Sequence, residues 1–169
     1  MRGPAAAALL VLVMGCGYRV AGLGPAPGPG RPLWIAPVDD RAGEPLFGAV
    51  LARALSRGAV DRADLRLAPR DDATLRLSVR ADRVTESAAA FSAAGLQEYR
   101  VTAEATATLS RVDDTVLWRG TVRAHREFEA GDTVEATERA KAAALELLAR
   151  DLAGEVLRRL PLVPGEAAR

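Results

Sequence analysis

Three stretches between residues 73 and 128 alternate apolar and polar side chains at period two, a pattern that fits half-buried β-strands and no helix of comparable length. In the first, Ala73, Leu75, Leu77, Val79 and Ala81 alternate with Thr74, Arg76, Ser78, Arg80 and Asp82. In the second, Tyr99, Val101, Ala103, Ala105, Ala107 and Leu109 alternate with Arg100, Thr102, Glu104, Thr106, Thr108 and Ser110. In the third, Val116, Trp118, Val122, Ala124 and Phe128 alternate with Thr115, Arg119, Thr121, Arg123, His125 and Glu127. Asp113-Asp114 marks a tight hairpin turn between the last two, and Glu86 to Leu96 reads as a longer, small-residue loop.

Each strand so defined has one apolar face that needs covering, and two helical stripes supply the cover. Leu33 to Val38 is a short buried strand, after which Glu44-Pro45 opens a helix carrying Leu46, Phe47, Val50, Leu51, Ala54 and Leu55, stopped by Gly58. Leu65 and Leu67 mark a brief strand or extended arm. A second helix runs from about Thr133 to Leu160, with Asp132 and Glu135 at capping-box spacing and Leu145, Leu148, Leu152, Val156 and Leu160 on one stripe; Pro161 ends it. The economical solution is an α+β two-layer sandwich, a mostly antiparallel four-stranded sheet with two helices packed on one face. Of 169 residues 35 are Ala and only seven are aromatic, so the core is thin. Trp34 and Trp118 lie inside apolar runs and are expected in it.

The N-terminus sets an address. Arg2 precedes an apolar run from Ala5 to Met14, too short to span a bilayer and right for a signal peptide. The run ends at Val13-Met14-Gly15-Cys16, which resembles the bacterial lipobox, in which a small residue precedes a Cys that becomes lipidated. On that reading residues 1–15 are removed, and Cys16 carries a diacylglycerol and an acyl chain, a pairing that makes attachment stable where one chain does not. Gly17 after the Cys, in place of Asp, favours the outer membrane by resemblance to lipoprotein sorting rules. Ala21 to Pro32 (AGLGPAPGPGRP) is a Pro/Gly tether within residues 16–32, with a reach of roughly 35 Å. The folded domain is then residues 33–160, with a C-terminal tail over 161–169.

Composition removes several functions. The formal charge is +1, so no basic field argues for nucleic acid. One Cys and one His exclude a disulfide framework and leave no all-protein zinc set. His125 is on a polar strand face and no Ser sits in a nucleophile elbow, so the chain reads as no enzyme. Asp39-Asp40, Asp71-Asp72 and Asp113-Asp114 fall at element boundaries, where Asp caps N–H groups or shapes turns; no metal and no cofactor beyond the covalent lipid is expected. The outer sheet face, rich in Thr and Arg, suits water, a polar partner or a polar channel.

Cys16-Gly17-Tyr18-Arg19-Val20-Ala21-Gly22, Ile35-Ala36-Pro37-Val38, the Arg41 to Pro45 turn, Gln97-Glu98-Tyr99-Arg100-Val101 and Val116-Leu117-Trp118-Arg119-Gly120 together resemble the lipopolysaccharide-assembly lipoprotein family LptE. Their order and spacing carry the resemblance over nearly all of the mature chain. The resemblance implies a lipid-anchored, periplasm-facing protein of the outer membrane that sits in the lumen of the LptD-type β-barrel. There it would help assemble the barrel and deliver lipopolysaccharide to the outer leaflet. A Thr/Arg-rich face suits a polar lumen, and guanidinium forks match lipid phosphates. Arg76, Arg80, Arg83 and Arg100 are the candidate contacts. The alternative is an outer-membrane lipoprotein that regulates a peptidoglycan synthase, which would bind its target without a barrel.

Overall fold

The computed structural model describes residues 30–91 and 97–161. Cys16, the stretch up to residue 29 and the tail from 162 lie outside the described residues. In chain order the elements are β1 (Arg31–Ile35), β2 (Asp39–Asp40), α1 (Phe47–Val60), β3 (Leu65–Leu67), a 3-10 turn at Arg70–Asp72, β4 (Leu75–Phe91), β5 (Gln97–Arg111), β6 (Val116–Glu129) and α2 (Val134–Arg159). The architecture is α+β, and the sheet is mixed and six-stranded rather than mostly antiparallel and four-stranded. Strands run in the order β3-β1-β4-β5-β6, with β2 also on β4. β4, β5 and β6 pair antiparallel, while β1 is parallel to both β3 and β4, and β2 is parallel to β4.

The predicted strand from Leu33 to Val38 is split because Pro37 has no N–H to give a ladder. The chain pairs with β4 through residue 35, and pairs again at Asp39 and Asp40. Asp40 then does the capping that Glu44-Pro45 was expected to begin. Leu46 takes a left-handed φ of 63°, so the helix starts at Phe47. The Asp40 carboxylate accepts from the N–H of Gly48 at 2.8 Å and of Ala42 at 3.1 Å. A side chain at residue 48 would fall 2.6 Å from the Asp40 Cβ, so glycine there lets the cap close. Gly58 does not stop the helix. It lies inside α1, where a Cβ would meet Leu157 of α2 at 2.7 Å, and its bareness lets the two helices approach.

The core is one cluster. Phe47, Leu51 and Leu55 of α1 and Leu148, Leu152 and Val156 of α2 meet the inward residues of the sheet, among them Leu33, Leu75, Leu77, Val101, Leu109 and Val122. Ala103, Ala105 and Ala107 on β5 are fully buried beneath them, and these small side chains let the helices lie close to the central strand. The α2 cap is Thr133, whose hydroxyl accepts from Ala136 N–H at 3.1 Å, rather than Asp132. Two further expectations change. The loop from Glu86 to Leu96 is strand as far as Phe91, and Trp34 faces away from the core, beneath the Arg70 guanidinium at 5.4 Å. Trp118 does face the core side, opposite Leu109, half-buried across Gly120.

Candidate functional site

With both helices on one face of the sheet, the other face of β4, β5 and β6 is left open to solvent, and the period-two pattern fills it with Arg, Thr, Ser and Glu. A β-bulge decides how they meet. The β4–β5 register steps between Ala81 and Arg83, which makes Asp82 the extra residue. Unbroken alternation would have pointed Arg83 at the core; the step places it opposite Glu104 instead.

The four arginines singled out from the sequence each find a carboxylate. Arg76 bonds Asp114 at 2.5 Å, and Arg80 bonds Asp82 through Nε at 2.5 Å. Arg83 pairs with Glu104 at 2.6 Å, and Arg100 with Glu127 at 2.5 Å. They lie on one face without converging on one point. The sequence reading passed over Arg119 and Arg123, which share the outward parity of β6 and so were visible in the same pattern. Arg123 reaches Glu104 from the other side at 2.9 Å, so two guanidiniums share one carboxylate. Arg119 has no ion-pair partner among the described residues.

Two shallow depressions result. One, of about 330 Å³, is lined by Arg83, Thr85, Thr102, Glu104 and Arg123. The other, of about 220 Å³, brings Arg119 beside Arg80, Thr106, Thr108, Ser78 and Asp39. Surplus guanidiniums flanked by hydroxyl donors form a surface that accepts anionic oxygen ligands. Among the described residues no trio of His, Cys, Asp and Glu is placed to hold a metal, and His125 stands exposed opposite Thr102.

The charges are tuned to stay charged. Burial opposes ionisation of Asp82, but the Arg80 guanidinium and the Thr106 hydroxyl at 2.7 Å outweigh it and hold the carboxyl below its ordinary range. Arg83, against a smaller opposing effect of burial and with the added charge of Arg123, holds Glu104 below its range too. Asp64 is lowered by Arg62, and Asp113 by the N–H of Thr115. Groups depressed in the folded state stabilise it fully above their unfolded values, and that stabilisation is lost as pH falls through the folded ones. The thermal midpoint is therefore expected to be level between about pH 5 and 7 and to fall below about pH 4, as read by circular dichroism. A midpoint that rose on acidification would contradict the pairing described.

The fold and this face define a class: a small α+β domain with two helices on one side of a mixed sheet and a polar, arginine-bearing face on the other. The model of the family LptE, lipopolysaccharide-assembly, matches residues 31–160, and the chain belongs to that family. Among solved structures, a hypothetical protein from Chlamydia trachomatis superposes with a TM-score of 0.58 at 11% identity, covering 77% of this chain and 95% of that one. A protein from Xanthomonas campestris gives 0.54 at 19% identity, covering 76% and 85%. The uncharacterised lipoprotein B from Nitrosomonas europaea gives 0.53 at 17%, covering 85% and 89%. At these identities the likeness is one of fold. Among curated proteins none matches the sequence.

Proposed function

We propose that this protein is a non-enzymatic, lipid-anchored factor of the outer membrane that helps the LptD-type β-barrel assemble and pass lipopolysaccharide to the outer leaflet. Cys16 is the proposed attachment point, carrying a diacylglycerol and an acyl chain. The segment from Cys16 tethers, on the periplasmic side, a domain that begins at Arg31, two residues earlier than the alternation suggests, because Arg31 and Pro32 already pair with β3. No helix among the described residues is long and apolar enough to cross a membrane, so in this account attachment rests on the lipid.

One observation carries the reading beyond family membership. Over the middle of the open sheet face arginine exceeds its carboxylate partners, with Arg83 and Arg123 sharing Glu104 and Arg119 without an ion-pair partner among the described residues, while Glu98 and Glu129 lie opposite each other at the far end. Such a face, polar except for Val116, which the register shift places opposite Ser110 and leaves exposed instead of inward, fits a polar barrel lumen, and its cations match the phosphates of a lipid headgroup. Arg76, Arg80 and Arg100 spend their charge on Asp114, Asp82 and Glu127 and take the supporting part.

The charge reversal Arg119→Glu with Arg123→Glu is expected to cut lipopolysaccharide binding about tenfold or more, since charged contacts are lost and repulsion replaces them. Stability should move by less than ~1 kcal/mol, because both positions are exposed. Surface plasmon resonance on purified lipopolysaccharide, with a thermal melt beside it, reads both. Unchanged binding in a folded double variant would show the face to be merely solvated.

A further inference from the structure

The helical layer carries a second cationic feature, on the other side of the sheet from the face just described. Arg53 and Arg57 stand one turn apart on α1, and Arg150 comes toward them from α2. With Val50, Ala54 and Glu146 they line an interhelical groove of about 50 Å³, room for one small tetrahedral anion above an apolar floor. The helices run side by side in the same direction: Lys141 meets Glu44 near their starts, and Leu157 meets Gly58 near their ends.

Charge in this groove is not balanced. Glu146 is its only carboxylate, and it already lies 3.6 Å from Arg150. Neither Arg53 nor Arg57 has an ion-pair partner among the described residues. Like charges four residues apart on a helix repel. Arg57 gains from the negative end of the α1 dipole, being in the last turn, but Arg53 is a turn too early to share that. The fold thus bears a repulsive pair with no ion-pair partner among the described residues, beside a third guanidinium 3.6 Å from Glu146.

We propose that the α1–α2 groove binds a phosphate group, with Arg53 and Arg57 as its guanidinium clamp and Arg150 closing the far wall. Two planar forks one turn apart can contact different oxygens of one tetrahedral anion, a geometry that single lysines do not supply. The phosphate is either that of a membrane phospholipid headgroup or that of a soluble phosphate ester. The site shares no residue with the sheet face, so its fate is separable from that of the proposed function.

The test follows the arginine Nε–Hε NMR signals of the full-length protein in dodecylmaltoside micelles. In one arm inorganic phosphate is titrated in; in the other, phosphatidylglycerol is added to the micelles. The groove signals should shift saturably, and the shift should weaken with added sodium chloride. Arg53→Gln with Arg57→Gln should lose about tenfold or more in affinity by calorimetry, while Arg119→Gln with Arg123→Gln keeps it. Exposed Arg→Gln changes on a helix leave the fold in place, which the same melt verifies. Response to phosphate alone assigns a soluble ester, and response to phosphatidylglycerol assigns a headgroup. Absence of a response in both arms overturns the site, as does an Arg53→Gln, Arg57→Gln variant that binds like the wild type.

Discussion

Leu152→Asp is expected to abolish cooperative unfolding. Leu152 is fully buried at the middle of the α2 stripe, packed into the single core that joins both helices to the sheet. The substitution removes a leucine's burial, worth about 2–5 kcal/mol in such sites, and leaves either a buried charge or a protonated carboxyl without a partner. A domain of this size holds only about 5–15 kcal/mol in total. Circular dichroism should show a featureless melt and a loss of helix at pH 7, with partial recovery near pH 4 as the carboxyl takes up a proton. A sharp transition within a few degrees of wild type would mean that α2 does not cover the sheet.

Lys141→Met is expected to cost about 1–2 kcal/mol at pH 7, a large effect for a surface side chain. Lys141 is the only lysine in the sequence, and its ammonium lies 3.1 Å from Glu44 and 3.2 Å from Glu86. It ties α2 to the turn before α1 and to β4 beyond the bulge. Burial opposes its charge, but the two carboxylates outweigh that and raise its pKa above the ordinary value. Its contribution is therefore complete below the unfolded lysine value and lost only as pH climbs through the raised folded one, above about pH 10. Methionine keeps the apolar stem and removes the charge, leaving Glu44 and Glu86 facing each other unneutralised. Urea titrations at pH 7 measure this directly, and equal midpoints for variant and wild type would deny the clamp.

What was legible in the sequence follows from period. Leu75, Leu77 and Val79, with alternate residues from Val101 to Leu109, point inward as their alternation requires, and both apolar stripes face the core, except that Leu46 precedes the helix and is 77% exposed and Val50 and Leu145 are half-buried. Features set by a single residue's geometry were not legible. The bulge at Asp82 re-phases β4, so Thr85 to Ala90 no longer reads as a strand continued from Leu75, although it is one. The parallel pairings of β1 and β3 cover three residues each, too short for a periodic signal. Trp34 looked like core because its neighbours are apolar, but the residue after an inward Leu33 must point outward.

The candidate site shows the same division. Outward arginines could be read from alternation; their partners could not, because cross-strand neighbours depend on register. Arg83 meets Glu104 only after the one-residue step, and Arg123 meets the same carboxylate from β6. The local excess of arginine around Glu104 thus emerges only when three strands are laid side by side. The interhelical groove is further from the sequence still, since Arg53, Arg57 and Arg150 are brought together by helix packing alone.

The central claim, a role in lipopolysaccharide assembly through a barrel partner, is tested most directly by depleting the protein in its native cell. Surface lipopolysaccharide and the amount of folded barrel are then quantified. The account predicts that both fall together and return with the wild-type chain, while the Arg119→Glu, Arg123→Glu chain fails to restore them. Depletion that leaves surface lipopolysaccharide and the folded barrel at normal levels would contradict it.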